Sequence, residues 1–314
     1  MSTGPAVKYD EVNEAKANFD RLYFQPDPRE YYRVLCGLDY VIPDLAKGVF
    51  RNTVDALEEL RGRRIKVLDI GCSYGNNAAL LRYPLDIDRL AQRYRDLDGA
   101  GLTAEQVAVL DREYYRSWPG RDVEIVGLDV SEPAIDYACN VGLLDAGAAE
   151  DLERSPPSAR LKEMLQGVDL IVSTGCVGYV TERTFARVLA AIDGPRPWIA
   201  SFVLRMFTYA PIARALAEQG AFVTEKLDGV TFIQRRFHSQ QECTEALAIL
   251  DQLGIKTAGK EAEGFYHAEF FLSRPRREQA ATSLEDLASV TSGRNRRYGS
   301  RWQLMGDSVV RFGR

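Results

Sequence analysis

Residues 65–81, IKVLDIGCSYGNNAALL, constrain the fold of this chain more than any other stretch. Ile65, Val67, Leu68 and Ile70 form a short apolar run, the pattern of a strand buried in a parallel sheet. Asp69 sits near the carboxyl end of that strand. Gly71 and Gly75 bracket a turn, and Asn76-Asn77-Ala78-Ala79-Leu80-Leu81 opens a helix. A strand, a glycine turn and a helix N-terminus set bare backbone against a ligand. Missing side chains allow close approach, and the first N–H groups of a helix have no partner within it. The expected architecture is therefore α/β.

Two kinds of nucleotide ligand fit such a turn. A dinucleotide fingerprint needs G-x-G-x-x-G with a pyrophosphate on the helix end. Here the run is G-C-S-Y-G-N-N-A, without the second and third glycines, and Asp69 would repel a pyrophosphate. A carboxylate at that place suits a cationic amino-acid ligand instead. The run V-L-D-I-G-C-S-Y-G closely resembles the first motif of class I S-adenosylmethionine (SAM) methyltransferases. The resemblance implies that the loop with Gly71, Cys72 and Gly75 passes under the amino-acid end of SAM, with Asp69 on the ammonium side.

A second strand, EIVGLD, ends at Asp129 and is followed by Val130 and Ser131. In a doubly wound sheet ligands gather at the carboxyl ends of the strands, so an acid there lies beside the glycine loop. Such a carboxylate can accept hydrogen bonds from both hydroxyls of a ribose. The stretch I-V-G-L-D-V-S-E-P-A resembles the second methyltransferase motif, with Asp129 at its acidic position. The usual spacing of about 20 residues between glycine loop and acid is exceeded, which an inserted segment explains. Ser131 is placed to cap the next helix, with Pro133 in its first turn.

The later motifs are degenerate. Where the family often reads like G-D-A-x-x-L, this chain has Gly147-Ala148-Ala149-Glu150-Asp151-Leu152. The usual acid position is Ala148, so Glu150 or Asp151 becomes the candidate for the adenine amino group. A fourth strand runs into Ser173-Thr174-Gly175-Cys176-Val177-Gly178-Tyr179, where the resemblance places the methyl-transfer centre and makes Thr174 and Gly175 cofactor contacts. That run lacks the N/D-P-P-Y/F signature of many amine-methylating members. Cys176 has no base within its neighbouring sequence and reads as a small buried residue.

Around this core the chain carries additions. Residues 1–62 read as a helical lid rich in aromatics, with Tyr31, Tyr32 or Tyr40 as candidates for facing an acceptor. Residues 83–122 read as an inserted helical hairpin, in which Thr103 and Gln106 form a capping box. Within 208–238 a helix is followed by two β-rich runs joined at Asp228-Gly229, the signal of a two-residue hairpin. Arg205 and the run Gln234-Arg235-Arg236 are candidates for an anionic acceptor. The chain has two histidines, His238 and His267, and His267 is the candidate general base. Residues 276–314 read as a basic tail with one short helix near 283–290 and otherwise loose order.

The composition narrows the functions available. At 314 residues, with 46% apolar and 27% charged residues, the chain has a globular composition with ample core. A net charge of −5 provides no basic footprint for nucleic acid. No stretch reaches the length of a membrane span, and the polar start MSTGPAVKYDEVNEAK has no signal-peptide core. Five cysteines without C-x-x-C spacing favour free thiols in a cytoplasmic setting and no metal site.

The expectation is a doubly wound, mostly parallel, seven-stranded Rossmann-like sheet over residues 63–275. SAM would lie across its carboxyl edge and donate a methyl group to an O, N or C atom of a small-molecule acceptor. Two alternatives stand beside it: methylation of a macromolecule docked by the arginine-rich tail, and a SAM-fold protein that binds without catalysis. A homodimeric contact is left open.

Overall fold

The computed structural model describes residues 20–288, 302–304 and 308–312. The start of the expected lid, residues 1–19, and the glycine- and arginine-rich stretch of the tail, residues 291–300, lie outside the described residues.

The first five strands are β1 (Lys66–Ile70), β2 (Glu124–Asp129), β3 (Ala146–Ala149), β4 (Leu170–Thr174) and β5 (Trp198–Leu204). They are parallel and lie in the order β3-β2-β1-β4-β5. β1, β2 and β4 are short and almost wholly buried, as strands covered on both faces must be. The order reverses between β1 and β4, which makes their carboxyl ends the topological switch point where open α/β sheets bind ligands. Three further strands follow in sequence: β6 (Phe222–Lys226), β7 (Thr231–Arg236) and β8 (Phe265–Pro275). β8 pairs antiparallel with β5, from Ile199↔Ser273 to Leu204↔Ala268. This is the doubly wound Rossmann-like fold that the methyltransferase resemblance implies.

The expected hairpin at Asp228-Gly229 does not form. β6 and β7 both run antiparallel to β8, with Phe222 opposite Pro275, Lys226 opposite Phe271, Phe232 opposite Ala268 and Arg236 opposite Phe265. They are successive pieces of one edge, separated by a bulge. Leu227 N–H still bonds the Phe270 carbonyl at 3.0 Å before the chain bulges out. A type I′ hairpin needs positive φ at both turn residues, whereas of these two only Gly229 has it, at +75°. β8 is 11 residues long, enough edge to accept both pieces.

The sheet also exceeds seven strands, reaching ten among the described residues. From the segment expected as a loose tail, β9 (Trp302–Leu304) and β10 (Val309–Phe312) add to the free edge of β7, with Val309 opposite Thr231 in parallel register. Residues 276–288 are fastened as well. Glu278 accepts from both Arg61 guanidinium nitrogens and from the Trp198 indole N–H at 2.8 Å. Asn52 donates to the Leu287 carbonyl at 2.9 Å.

Helices cover both faces. Of the segment expected as a lid, α1 (Asp20–Tyr23) and α2 (Arg29–Cys36) come first, and α3 (Ile42–Arg61) instead lies on the sheet, buried at every position from Ile42 to Val54. Arg51 of α3 donates to the Leu80 and Tyr83 carbonyls and so satisfies the end of α4 (Asn76–Arg82). The insertion comprises α5 (Ile87–Asp98) and α6 (Ala104–Arg116), the latter opened by the expected Thr103/Gln106 capping box. It is no mere solvated appendage. Asp111 of α6 is fully buried and takes hydrogen bonds from Arg93 Nε at 2.6 Å, from the Tyr137 hydroxyl at 2.5 Å and from the Tyr94 hydroxyl at 3.3 Å. Tyr94 in turn stacks on Tyr32 of the lid, with centroids 4.4 Å apart. The insertion is the strut that holds α2 in place.

Candidate functional site

A cavity of about 270 Å³ opens at the carboxyl ends of β1, β2 and β4, beneath the lid. This approaches the ~300–1,000 Å³ typical of small-molecule sites. Residues 70–73 and 128–130 form its floor, residues 150–153 and 174–176 its sides, and Tyr23, Phe24, Tyr31 and Tyr40 its roof. Gln234 and Arg235 of β7 complete the wall.

The floor is built from backbone held in tight conformations. Gly71 has φ +70°, and a Cβ there would stand 2.7 Å from Cys176 Cβ, so only glycine fits between the β1 and β4 loops. Ser73 also takes the left-handed region, at φ +48°, which costs a side-chain-bearing residue about 1–2 kcal/mol. The distortion turns Ser73 N–H onto Asp129 Oδ2 at 2.9 Å, while Ser131 N–H holds Oδ1 at 3.0 Å. The Asp129 carboxylate is thus fixed at the cavity wall. Burial pushes its pKa up, and these backbone N–H groups oppose that rise.

Asp69 stands one step behind the wall. Asn77 Nδ2 donates to Asp69 Oδ1 at 3.0 Å and to Thr174 Oγ1 at 3.2 Å, so Asn77 is the link between the buried acid and the cavity. Burial first, then the field of Asp129, pushes Asp69 up to about 7, against the Asn77 hydrogen bond. Asp69 Oδ2, Ser73 Oγ and Asn77 Oδ1 are all buried without a partner among the described residues. Buried polar atoms are normally satisfied. Such atoms grouped round one cavity fit a polar, cation-bearing ligand.

The lid is tied to this floor. The Tyr74 hydroxyl, from the glycine loop itself, reaches the Leu22 and Gln25 carbonyls at 2.8 Å each. Ser131 both caps α7 (Glu132–Asn140) and donates its hydroxyl to the Tyr23 carbonyl. Asn76 joins Tyr31, to whose hydroxyl it donates at 2.8 Å, and Tyr32, whose hydroxyl it accepts.

The sequence candidates therefore divide. Gly71, Cys72, Asp129, Val130, Glu150, Asp151, Thr174, Gly175 and Tyr40 lie on the cavity wall. Gly75 is off it; a Cβ there would meet Ala138 and Leu143 at 3.3 Å, so its smallness serves helix packing. Glu150 accepts from Ser158 N–H and Oγ, and Asp151 from the N–H groups of Glu153 and Arg154, so each acid also closes its own turn. Tyr32 is spent on Tyr94 and Asn76. Arg205 is turned away, bonded to Glu261 at 2.6 Å and the Lys256 carbonyl at 2.9 Å. His267 is buried in β8 beside Thr231 Oγ1, 3.2 Å from its Nδ1, and is not a wall residue. Burial pushes the Cys176 thiol up to about 12 and Cys72 well above its usual value, so neither is a ready thiolate.

Sequence reasoning missed Ser73, Tyr74, Asn76, Asn77 and Glu153. The one available signal was position: four of the five lie in or just after the glycine turn. No cluster of metal-binding side chains occurs among the described residues, and no described helix is long and apolar enough to cross a membrane.

No protein-family profile matches the sequence, and no curated protein matches it significantly. Solved structures do resemble the fold. The plantazolicin methyltransferase BpumL in complex with SAH is 13% identical, over 85% of this chain and 96% of that one, with a TM-score of 0.41. The magnesium protoporphyrin IX methyltransferase ChlM from Synechocystis PCC 6803 with bound SAM is also 13% identical, over 72% and 80%, at 0.34. The bifunctional kinase-methyltransferase WbdD is 14% identical, over 73% of this chain and 38% of that one, at 0.36.

Proposed function

We propose that the cavity binds SAM and that the protein transfers its methyl group to a small-molecule acceptor. The observation that carries this reading is the Asp129 carboxylate, pinned by two backbone N–H groups on the wall beside the Gly71 turn. A carboxylate so held is oriented to accept from a pair of vicinal hydroxyls without reorganising. The unpartnered oxygens of Asp69, Ser73 and Asn77 fit the amino-acid end of the same ligand. An ammonium group there would draw Asp69 toward its ionised form. Val130, 58% exposed on the wall, offers an apolar surface to the purine.

Bound SAM supplies an activated methyl on a sulfonium, a group that needs alignment and dehydration more than proton transfer. The chain provides both. Gly71 keeps the loops after β1 and β4 close, and the lid held by Tyr74 and Ser131 covers the cavity. An acceptor nucleophilic in its own right would need no general base. The enclosed volume supports a small acceptor.

Calorimetric titration with SAM and with S-adenosylhomocysteine tests the reading. The wild-type protein should bind both, and Asp129→Ala should bind about 10–100-fold more weakly, the range for losing a charged hydrogen-bond acceptor. A folded wild-type protein with no affinity for either ligand would refute it.

A further inference from the structure

One wall residue has no place in the cofactor reading. Gln234 of β7 is 7% exposed, lines the cavity, and makes no hydrogen bond through its side chain among the described residues. Its Oε1 is sealed without a partner. Its Nε2 reaches the loop after β4, where a Cβ on Gly175 would stand 2.2 Å away. Gly175, at φ +71°, is therefore the residue that lets an amide lie against the end of β4. Exchanging the amide oxygen and nitrogen by rotation leaves one buried end unsatisfied either way. Oε1 is closed off from the cavity, so Nε2, which makes no hydrogen bond among the described residues and lies against Gly175 of the wall, is the end that a molecule in the cavity would meet. The backbone around it is firm: the Gln234 carbonyl accepts from Val41 N–H at 2.9 Å, tying β7 to the chain just after Tyr40.

The charges around Gln234 indicate what it meets. Among the described residues Arg235 is the one cationic residue on the wall, and it is held by Glu242 through two bonds of 3.0 and 2.7 Å. Asp129, Glu150, Asp151 and Glu153 are on the wall as well. An anionic acceptor would meet a net negative surface and a guanidinium already neutralised, contrary to the sequence expectation for Arg205 and the run 234–236. Phe24 and Tyr179, half exposed on the same wall, add apolar ring surface.

We propose that Gln234 is the specificity residue for the acceptor: its carboxamide donates to an uncharged oxygen of a neutral, ring-bearing acceptor and sets that molecule against the end of β4. This rests on the methyltransferase reading for the word acceptor, and its test is independent of that reading.

Benzamide and benzoate form a matched probe pair, equal in shape and differing in charge. Each is titrated into the full-length protein by ligand-observed NMR, with and without saturating S-adenosylhomocysteine, for the wild type, Gln234→Leu and Gln234→Glu. Wild-type protein should bind benzamide at least about tenfold more tightly than benzoate. Gln234→Leu should lose about 5–30-fold in benzamide affinity, the equivalent of one hydrogen bond to a buried partner, with S-adenosylhomocysteine affinity unchanged. Gln234→Glu keeps the shape and should weaken benzoate further. Tighter binding of benzoate, failure of both probes to bind, or benzamide affinity indifferent to Gln234→Leu would overturn the proposal. A loss of S-adenosylhomocysteine affinity in Gln234→Leu would also overturn it, by assigning the amide to the cofactor. Failure of S-adenosylhomocysteine to bind the wild type would instead refute the cofactor reading, and the probes would still report on Gln234.

Discussion

The floor of the cavity and its roof are built in opposite ways. The floor draws on two short stretches, residues 69–77 and 128–131, and its Asp129 carboxylate is held by backbone N–H groups, one from each stretch. The roof and far wall gather Tyr23, Tyr31, Tyr40, Gln234 and Arg235 from segments more than half the length of the chain apart. The floor is oriented by left-handed turns at Gly71 and Ser73 and by backbone N–H groups. The roof is oriented by side chains of other elements, above all the insertion.

The largest test of that separation is Asp111→Ala. Removing one partner from a buried, hydrogen-bonded charge pair costs about 3–5 kcal/mol, here in a network that ends on Tyr32. Chemical denaturation should show a loss of that size. At a temperature where the variant is folded, its SAM affinity should fall less than that of Asp129→Ala. An equal fall would mean that roof and floor are one unit.

Next in size is a pH effect confined to the floor. Asp69 is raised from 3.8 to about 7, so the folded protein holds that proton more tightly than the unfolded chain. Its ionisation therefore erodes stability as pH rises across the window from about 4 to 7. A bound ammonium group reverses the preference. SAM affinity should climb as pH rises toward about 7 and level off above it, and Asp69→Asn should flatten the profile. Calorimetry across that range reads both. A profile in the wild type that falls with rising pH would separate Asp69 from the ligand.

The smallest effect is expected at the fastening itself. Tyr74→Phe removes a hydroxyl shared between the Leu22 and Gln25 carbonyls and should cost about 1 kcal/mol in stability. Its signature should be kinetic, with ligand leaving faster in stopped-flow measurements and Asp129 contacts intact. A dissociation rate equal to that of wild type would show that the hold on the ligand does not depend on the Tyr74 hydroxyl.

The same contrast explains what was legible beforehand. Asp129, Gly71 and the Ser131 cap follow from local pattern, because a strand end, a glycine turn and a helix start each orient groups within a few residues. Asp69 was legible as an acid, but not its position behind Asn77, since which asparagine turns inward depends on the buried end of β4. Arg205 and His267 were misplaced for one reason. Charge and chemistry mark a residue as capable, and only the packed neighbours, Glu261 for one and Thr231 for the other, settle where it points. The hairpin failed similarly: Asp228-Gly229 permits a reversal, but the long edge of β8 offered more hydrogen bonds to a strand that continues.

By itself the sequence determined the alternation of strands and helices, the glycine turn, the two acids at strand ends and the helix caps, all set by sterics and hydrogen bonds of short range. The tertiary structure alone decided that the tail closes the sheet, that the insertion braces the lid, and that Gln234 rather than Arg205 borders the cavity. Those outcomes depend on which distant surfaces bury one another, and the hydrophobic effect that drives such burial is non-directional until the partners have met.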